Sequence, residues 1–278
     1  GLCAILLGKD MPRLKPDQRL TKVVSGAPDK ADILYHAQKR ASARYLDQID
    51  GFMDGIEQQL CPQGDILYGP VVVYTKQELT DMLLSDLKPL PLNARIRAVV
   101  RNAKTRVKEA VKRVQALLEE DCARRADRLR QSMPDSPQRR ARMQTLYQSR
   151  DQRLKEAADQ AGPFLKQFTA SLGGFKTAAL YAQFSGQAKP ALDADDLPAL
   201  VWIKRRVDGL EGKLSLMHII VDEAQDMTGA QLRLLDELFR HPTFTLVGDM
   251  GQSIHDYNGV RDWTQAQNAI GGADERFL

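Results

Sequence analysis

The chain has 278 residues, of which 43% are hydrophobic and 27% charged, enough to bury at least one substantial core. No apolar stretch approaches the roughly 20 residues that a membrane helix needs, so no membrane partner is expected. The net charge is only +4 but it is lopsided: residues 92–160 carry 18 Lys and Arg against 9 Asp and Glu, and the rest carries 22 against 27.

The N-terminal stretch "GLCAILLGKDMPRLK" is apolar for only about seven residues and has no basic leader, which argues against a secretory signal. The chain does not begin with Met, and the expectation is a piece of a longer protein. Gly8-Lys9 superficially looks like the end of a phosphate loop, but Asp10 follows it in place of Ser or Thr. Cys3, Cys61 and Cys122 are odd in number and far apart, and His36, His218, His241 and His255 add no metal-ligand spacing to them. A reducing, cytoplasmic setting is expected.

From Lys30 to about Gln59, Leu34, Ala41, Tyr45, Ile49, Phe52, Ile56 and Leu60 recur at helical spacing. "GDILYGPVVVYT" (64–75) is rich in β-formers and punctuated by Gly64 and Gly69-Pro70, which predicts one or two short strands. "KQELTDMLLSDL" returns to helix and "KPLPLN" breaks it. From Ile96 the apolar residues Val99, Ala103, Val107, Val111, Val114, Leu118, Cys122, Ala126, Leu129 and Met133 follow at steps of three and four, a coiled-coil seam. Pro134 and Pro137 stop it, and Ser136 before Pro137 makes a cap and first-turn pair for a second helix. That helix carries Met143, Tyr147, Leu154, Ala161, Leu165 and Phe168, so residues 92–168 should form an antiparallel hairpin. Its cationic excess favours a polyanionic partner over a merely solvated face, and its scarcity of aromatics argues against base stacking.

"DADDLPALVWIKRRVDG" is expected to be a helix with acids before it, Pro198 near its start and Gly209 at its end, and Trp202 is expected in the core. In the final third, "LSLMHIIVDEAQD" predicts a buried strand ending in an acidic loop. "MTGAQLRLLDELFRHP" predicts an amphipathic helix, with Thr228 and Gln231 in capping-box spacing. "TFTLVGD" predicts a second buried strand. Strand, helix, strand makes a βαβ unit of a parallel sheet. It would bring Asp222–Asp226 and Asp249–Gln252 to one C-terminal edge, where open α/β sheets bind ligands.

Phosphoryl hydrolysis needs a carboxylate for Mg²⁺ and a second group for the attacking water. An Asp-Glu pair leaving a strand suits both, with Asp222 toward the metal and Glu223 toward the water, while the neutral amide of Gln252 suits a γ-phosphate. An acidic doublet after a strand is commonly only a solvated loop. Here a second segment, "VGDMGQSIHDYNG" (247–259), sits one crossover helix later.

Together "VDEAQD" and "VGDMGQSIHDYNG" resemble motifs II and III of the UvrD/Rep-type superfamily 1 helicases, which read DExQD and GDxxQSIY followed by an aromatic and a glycine. The resemblance implies an α/β fold with part of a RecA-like parallel sheet of P-loop NTPase type, binding ATP and Mg²⁺. By that resemblance Asp222 holds Mg²⁺ and Glu223 is the catalytic base. Gln225 and Asp226 support the phosphate and metal shell, and Asp249 and Gln252 couple the γ-phosphate to the nucleic-acid path. The chain departs from the pattern at His255, Tyr257 and Asn258, where the family has Tyr, Trp and Arg. His255 and Tyr257 would face the nucleic-acid path.

The long basic helical insertion before motif II, with "DGFMDGIEQQL", "GDILYG", "YTKQELTDML" and "LPLNARI", further resembles HelD-type proteins. These are bacterial ATPases of the UvrD/Rep class that bind RNA polymerase and help clear it from nucleic acid. The resemblance divides the chain into a remnant of the first RecA-like domain (1–35), a mainly α-helical arm (36–210) containing the coiled-coil hairpin, and the C-terminal part of that domain (211–278). The alternative is a UvrD/Rep-type DNA helicase or translocase with the arm as a regulatory insertion. The family's Walker A loop and the arginines of its second RecA-like domain have no counterpart here, so the 278 residues are expected to be inactive alone.

Overall fold

The computed structural model describes residues 2–15, 28, 30–187, 192–210, 216–239, 242–249, 259–260 and 262–271. Helix dominates, and the strands form two separate two-stranded sheets. Helix α1 (Leu2–Leu7) runs into a 3₁₀ turn at Gly8–Asp10. The helical spacing of residues 30–59 becomes two helices, α2 (Lys30–Ala41) and α3 (Ala43–Gln59). They break at Ser42, whose hydroxyl donates to the Lys39 carbonyl at 2.7 Å and competes with the helical ladder. Strands β1 (Ile66–Tyr68) and β2 (Val71–Tyr74) pair antiparallel, and Gly69 turns between them at a φ of 57° that favours glycine. Thr75 caps α4 (Lys76–Asp81) through the Glu78 N–H, and a π-helical turn continues it to Asp86.

Helix α5 (Leu92–Ser132) has 41 residues and stops short of Pro134. Helix α6 (Pro137–Asp159) begins with Ser136 accepting from the Arg139 N–H and with proline in the first turn, the expected cap. It returns alongside α5, so that Gln115 donates to the Leu154 carbonyl at 3.3 Å. The second helix does not run through to Phe168: it ends at Asp159, and α7 (Ala161–Leu172) follows as a separate element. Then come α8 (Thr177–Ser185), a 3₁₀ turn at Ala194–Asp196, α9 (Leu197–Val207), β3 (His218–Val221), a 3₁₀ turn at Ala224–Asp226, α10 (Gly229–Leu238), β4 (Thr243–Leu246) and α11 (Trp263–Ala269).

These elements cluster into two compact units, Glu57–Gly174 and Gly1–Ile56 with Phe175–Leu278. In the first, the β-hairpin packs on the base of α5. Tyr74 is fully buried, stacks on Phe168 and donates its hydroxyl to Asn102 at 2.7 Å. Arg95 and Glu57 form a buried, bidentate ion pair at 2.7 and 3.3 Å, and Arg95 Nε also donates to the Leu90 carbonyl. Farther along, α6 has no fully buried residue, because a pair of helices covers only one stripe of each.

In the second unit, α9 is the central helix, with Trp202, Ile203 and Val207 buried and Arg205 over the Trp202 ring. Trp202 is therefore a core residue, as expected. Lys204 donates to the Leu7 carbonyl and pairs with Asp10 at 2.8 Å, so the "GKD" turn is tied into the fold by a cation. The buried carboxylate of Asp196 accepts from Arg40 and from Tyr181, whose hydroxyl lies 3.2 Å from that of Tyr45. Leu232, Val260, Ala266 and Ala269 make a further apolar cluster beneath the second sheet.

That sheet is parallel, with His218 opposite Thr243 and Val221 opposite Leu246. The expected burial of both strands is overturned. Val221 is buried, but Ile220 is 70% exposed and β4 alternates exposed Thr243 and Thr245 with half-buried Phe244 and Leu246. Among the described residues the open face, which carries His218, Ile220, Thr243 and Thr245, has no covering element, so only one face is buried. His218 spans the two strands on that face, with its ring nitrogens 2.6 and 3.0 Å from the Thr243 and Thr245 hydroxyls.

Candidate functional site at the strand ends

The parallel register carries both strands to the same edge, and backbone bonds extend the pairing past their ends. Val247 N–H donates to the Val221 carbonyl at 2.8 Å, and Ala224 N–H donates to the Val247 carbonyl at 2.9 Å. The segment after β3 is thereby held against the segment after β4. Asp222 and Glu223 leave the strand exposed, whereas Ala224 and Gln225 turn inward and are buried.

Glu223 has a left-handed backbone, at φ 53° and ψ 45°, and is alone in this among non-glycine described residues. A residue with a Cβ takes that conformation at a cost of about 1 kcal/mol or more, and such outliers gather where a side chain must be aimed. Here the kink turns the chain from the strand into the 3₁₀ turn. The Glu223 N–H donates to the Asp222 carboxylate at 3.0 Å, so the backbone of the second acid orients the side chain of the first.

Gln225 joins the two segments. Its amide nitrogen donates to the Glu223 carboxylate at 2.6 Å, and its amide oxygen accepts from the Asp249 N–H at 3.2 Å. Only 3% of the residue is exposed, so water is kept from the amide itself, while Glu223 and Asp249 meet solvent on the other side of each bond. Gly248 makes this possible: a Cβ there would lie 2.1 Å from Gln225 Oε1 and 3.0 Å from the Ala224 nitrogen. No larger residue fits without displacing the amide. Sequence reading singled out Gln225 but missed Gly248. The available signal was a glycine at the end of a strand pattern, which marks close backbone approach.

Asp222, Glu223, Gln225 and Asp249 are thus brought to one edge. Asp226 ends the 3₁₀ turn, exposed, with its N–H on the Glu223 carbonyl. Gln252, His255 and Tyr257 lie outside the described residues. The next helix, α10, starts from a complete capping box: Thr228 Oγ1 accepts from Gln231 N–H at 3.1 Å, and Gln231 Oε1 accepts from Thr228 N–H at 2.9 Å.

Among the described residues no group of three or more His, Cys, Asp or Glu could enclose a metal ion. The exposed carboxylates of Asp222 and Glu223 are a donor set that fits Mg²⁺ bound with a nucleotide, since Mg²⁺ is usually held by one or two carboxylates plus phosphate oxygens and water. Two exposed acids at the C-terminal edge of a parallel sheet, one backed by a buried amide, can hold such an ion and orient a water.

A family model for the UvrD/REP helicase N-terminal domain matches residues 72–264. The matched span includes both strand-end segments and α5 to α7. No curated protein matches the chain. No helix among the described residues is long and apolar enough to cross a membrane.

Proposed function

The chain belongs to the UvrD/REP helicase N-terminal domain family, and on that premise we propose that it contributes the metal and water half of an ATP-hydrolysing site. The observation that carries this reading is the Gln225 bridge, which ties the Glu223 carboxylate to the backbone of Asp249 across two parallel strand ends. Asp222 would hold Mg²⁺, which when bound screens the charge on the phosphates. Glu223 takes the proton of the attacking water. Gln225 holds Glu223 in place by donating to one carboxylate oxygen and leaving the other for the water. Asp249, on the same bridge, passes a displacement of Glu223 to the segment that continues to Gln252. Gln252, His255 and Tyr257 are assigned by family resemblance alone, to the γ-phosphate and the nucleic-acid path. The 278 residues contain no GxxxxGK[ST] loop, so we propose that they do not turn over ATP without one.

The narrower reading is a HelD-type ATPase of the RecA-like class. Its helical insertion, with α5 and α6 at its centre, would bind RNA polymerase, and ATP would time release. The support is the length of α5 and the cationic excess of residues 92–160. The second reading is a DNA helicase or translocase with the insertion as a regulator, favoured by the family match itself. Capture of RNA polymerase by the complete protein, with and without residues 92–168, separates them. Loss of capture on deletion supports the first. Intact capture with loss of DNA-stimulated ATP turnover supports the second.

A further inference from the structure

Five cations of α5 share one face of the helix. Arg97, Arg101, Lys104, Lys108 and Lys112 follow at steps of four, three, four and four, which keeps them within about 80° of arc on an α-helix. All five are exposed, and none has an ion-pair partner among the described residues. The buried side of the helix, with Ile96, Val99, Ala103 and Val107, lies opposite. The two other cations of this stretch are already held, Arg95 by Glu57 and Arg106 by Glu78. The single acid between 92 and 112, Glu109, sits about 100° from the middle of the stripe and about 60° from its edge at Lys112.

The far end of the hairpin differs. Arg125 pairs with Asp121 at 2.8 Å, Arg130 with Asp127 at 2.7 Å, Arg139 and Arg140 with Asp135 at 2.9 and 3.1 Å, and Arg150 with Asp151 at 2.6 Å. Local acids cancel much of the charge there. The stripe at the base of α5 keeps its field.

We propose that this stripe is a docking surface for the phosphate backbone of a nucleic-acid duplex. The proposal deepens the nucleic-acid side of the reading above and rests on that side, not on polymerase binding. The row is about 22 Å long, roughly two-thirds of a duplex turn. Evenly spaced cations in a single row suit a line of phosphates, whose contacts supply affinity without reading sequence. α5 carries no aromatic residue on which unpaired bases could stack, which favours a duplex over a single strand. An acidic protein surface is disfavoured because protein interfaces centre on apolar and aromatic anchors, and Arg97 to Lys112 encloses no exposed one.

The test is binding of a fluorescein-labelled duplex of about 20 base pairs, read by anisotropy between about 50 and 200 mM salt. The 278-residue chain is compared with the triple variant Arg101→Ala, Lys104→Ala, Lys108→Ala. The variant should bind at least about tenfold more weakly, and the slope of log K against log salt should shrink by about 2.7, or 0.9 per lost phosphate contact. Alanine is the best helix former, so the far-ultraviolet circular dichroism should be unchanged. A companion variant, Arg130→Ala, Arg139→Ala, Arg140→Ala, should bind within about a factor of two of the parent chain. An unchanged slope in the stripe variant overturns the proposal. So does a parent chain that binds polyglutamate and not the duplex, which would indicate an acidic protein partner. ATP turnover of the complete protein, measured alongside, reports on the hydrolytic reading separately, so the stripe can fail while that reading stands.

Discussion

Gln225 and Gly248 work as a pair: the buried amide takes the space that a Cβ at 248 would fill, and from there it reaches both Glu223 and Asp249. Gly248→Ala should therefore push the amide out of place and uncouple the two strand ends. Gln225→Ala removes the bridge directly and leaves the Asp249 N–H to find a new partner. For groups that position a reacting side chain, such losses run to about 10–100-fold in activity. We predict a fall of that order in ATP turnover of the complete protein for each variant, measured as steady-state phosphate release. Gln225→Glu should be worse than Gln225→Ala, because it sets a second carboxylate against Glu223. The acids and the amide were singled out only when "VDEAQD" was taken together with "VGDMGQSIHDYNG", through their resemblance to motifs II and III. The fit of Gly248 was not, because it depends on where a side chain 23 positions earlier comes to rest.

Local chemistry made the helix starts the most readable elements. Ser136 and Thr228 were expected as caps and both accept the N–H three residues on. Replacing either with Ala should cost about 1 kcal/mol, read from urea unfolding of the chain. The Arg95–Glu57 pair was not legible, because its partners are 38 positions apart. Glu57→Ala strands a buried guanidinium and should cost about 3–5 kcal/mol, while Glu57→Gln, which keeps an acceptor, should cost less. The strands show the limit of reading apolar runs. "HIIV" has the composition of a strand buried on both faces, yet among the described residues the face that carries Ile220 is uncovered. The alternation of Thr and apolar residues in β4 is the pattern of a strand buried on a single face, and the reading of "TFTLVGD" as a fully buried strand passed over it.

At the scale of the whole molecule, both compact units bury tyrosine hydroxyls, and burial pushes their ionisation upward. Tyr74 rises to about 12, with the nearby Arg106 guanidinium partly offsetting the effect of burial, and Tyr45 and Tyr181 rise through burial as well. The unfolded phenols ionise near pH 10, so the stabilisation is fully present below that value and is lost as pH rises from about 10 toward 12. The denaturation midpoint should be flat below about pH 9 and fall steeply above 10, with tyrosinate absorbance rising together with unfolding. The uneven charge along the chain was visible from composition. Its location on one row of α5 required the helix and its ion pairs. The most direct measurement of the central claim is ATP turnover by the complete protein with Glu223 replaced by Gln, which keeps the size of the side chain and removes the base. The expected result is a loss of about 10²–10⁴-fold with nucleotide binding retained. Turnover within a factor of about two of the unaltered protein would show that the acids at the strand end are a solvated loop and not a hydrolytic site.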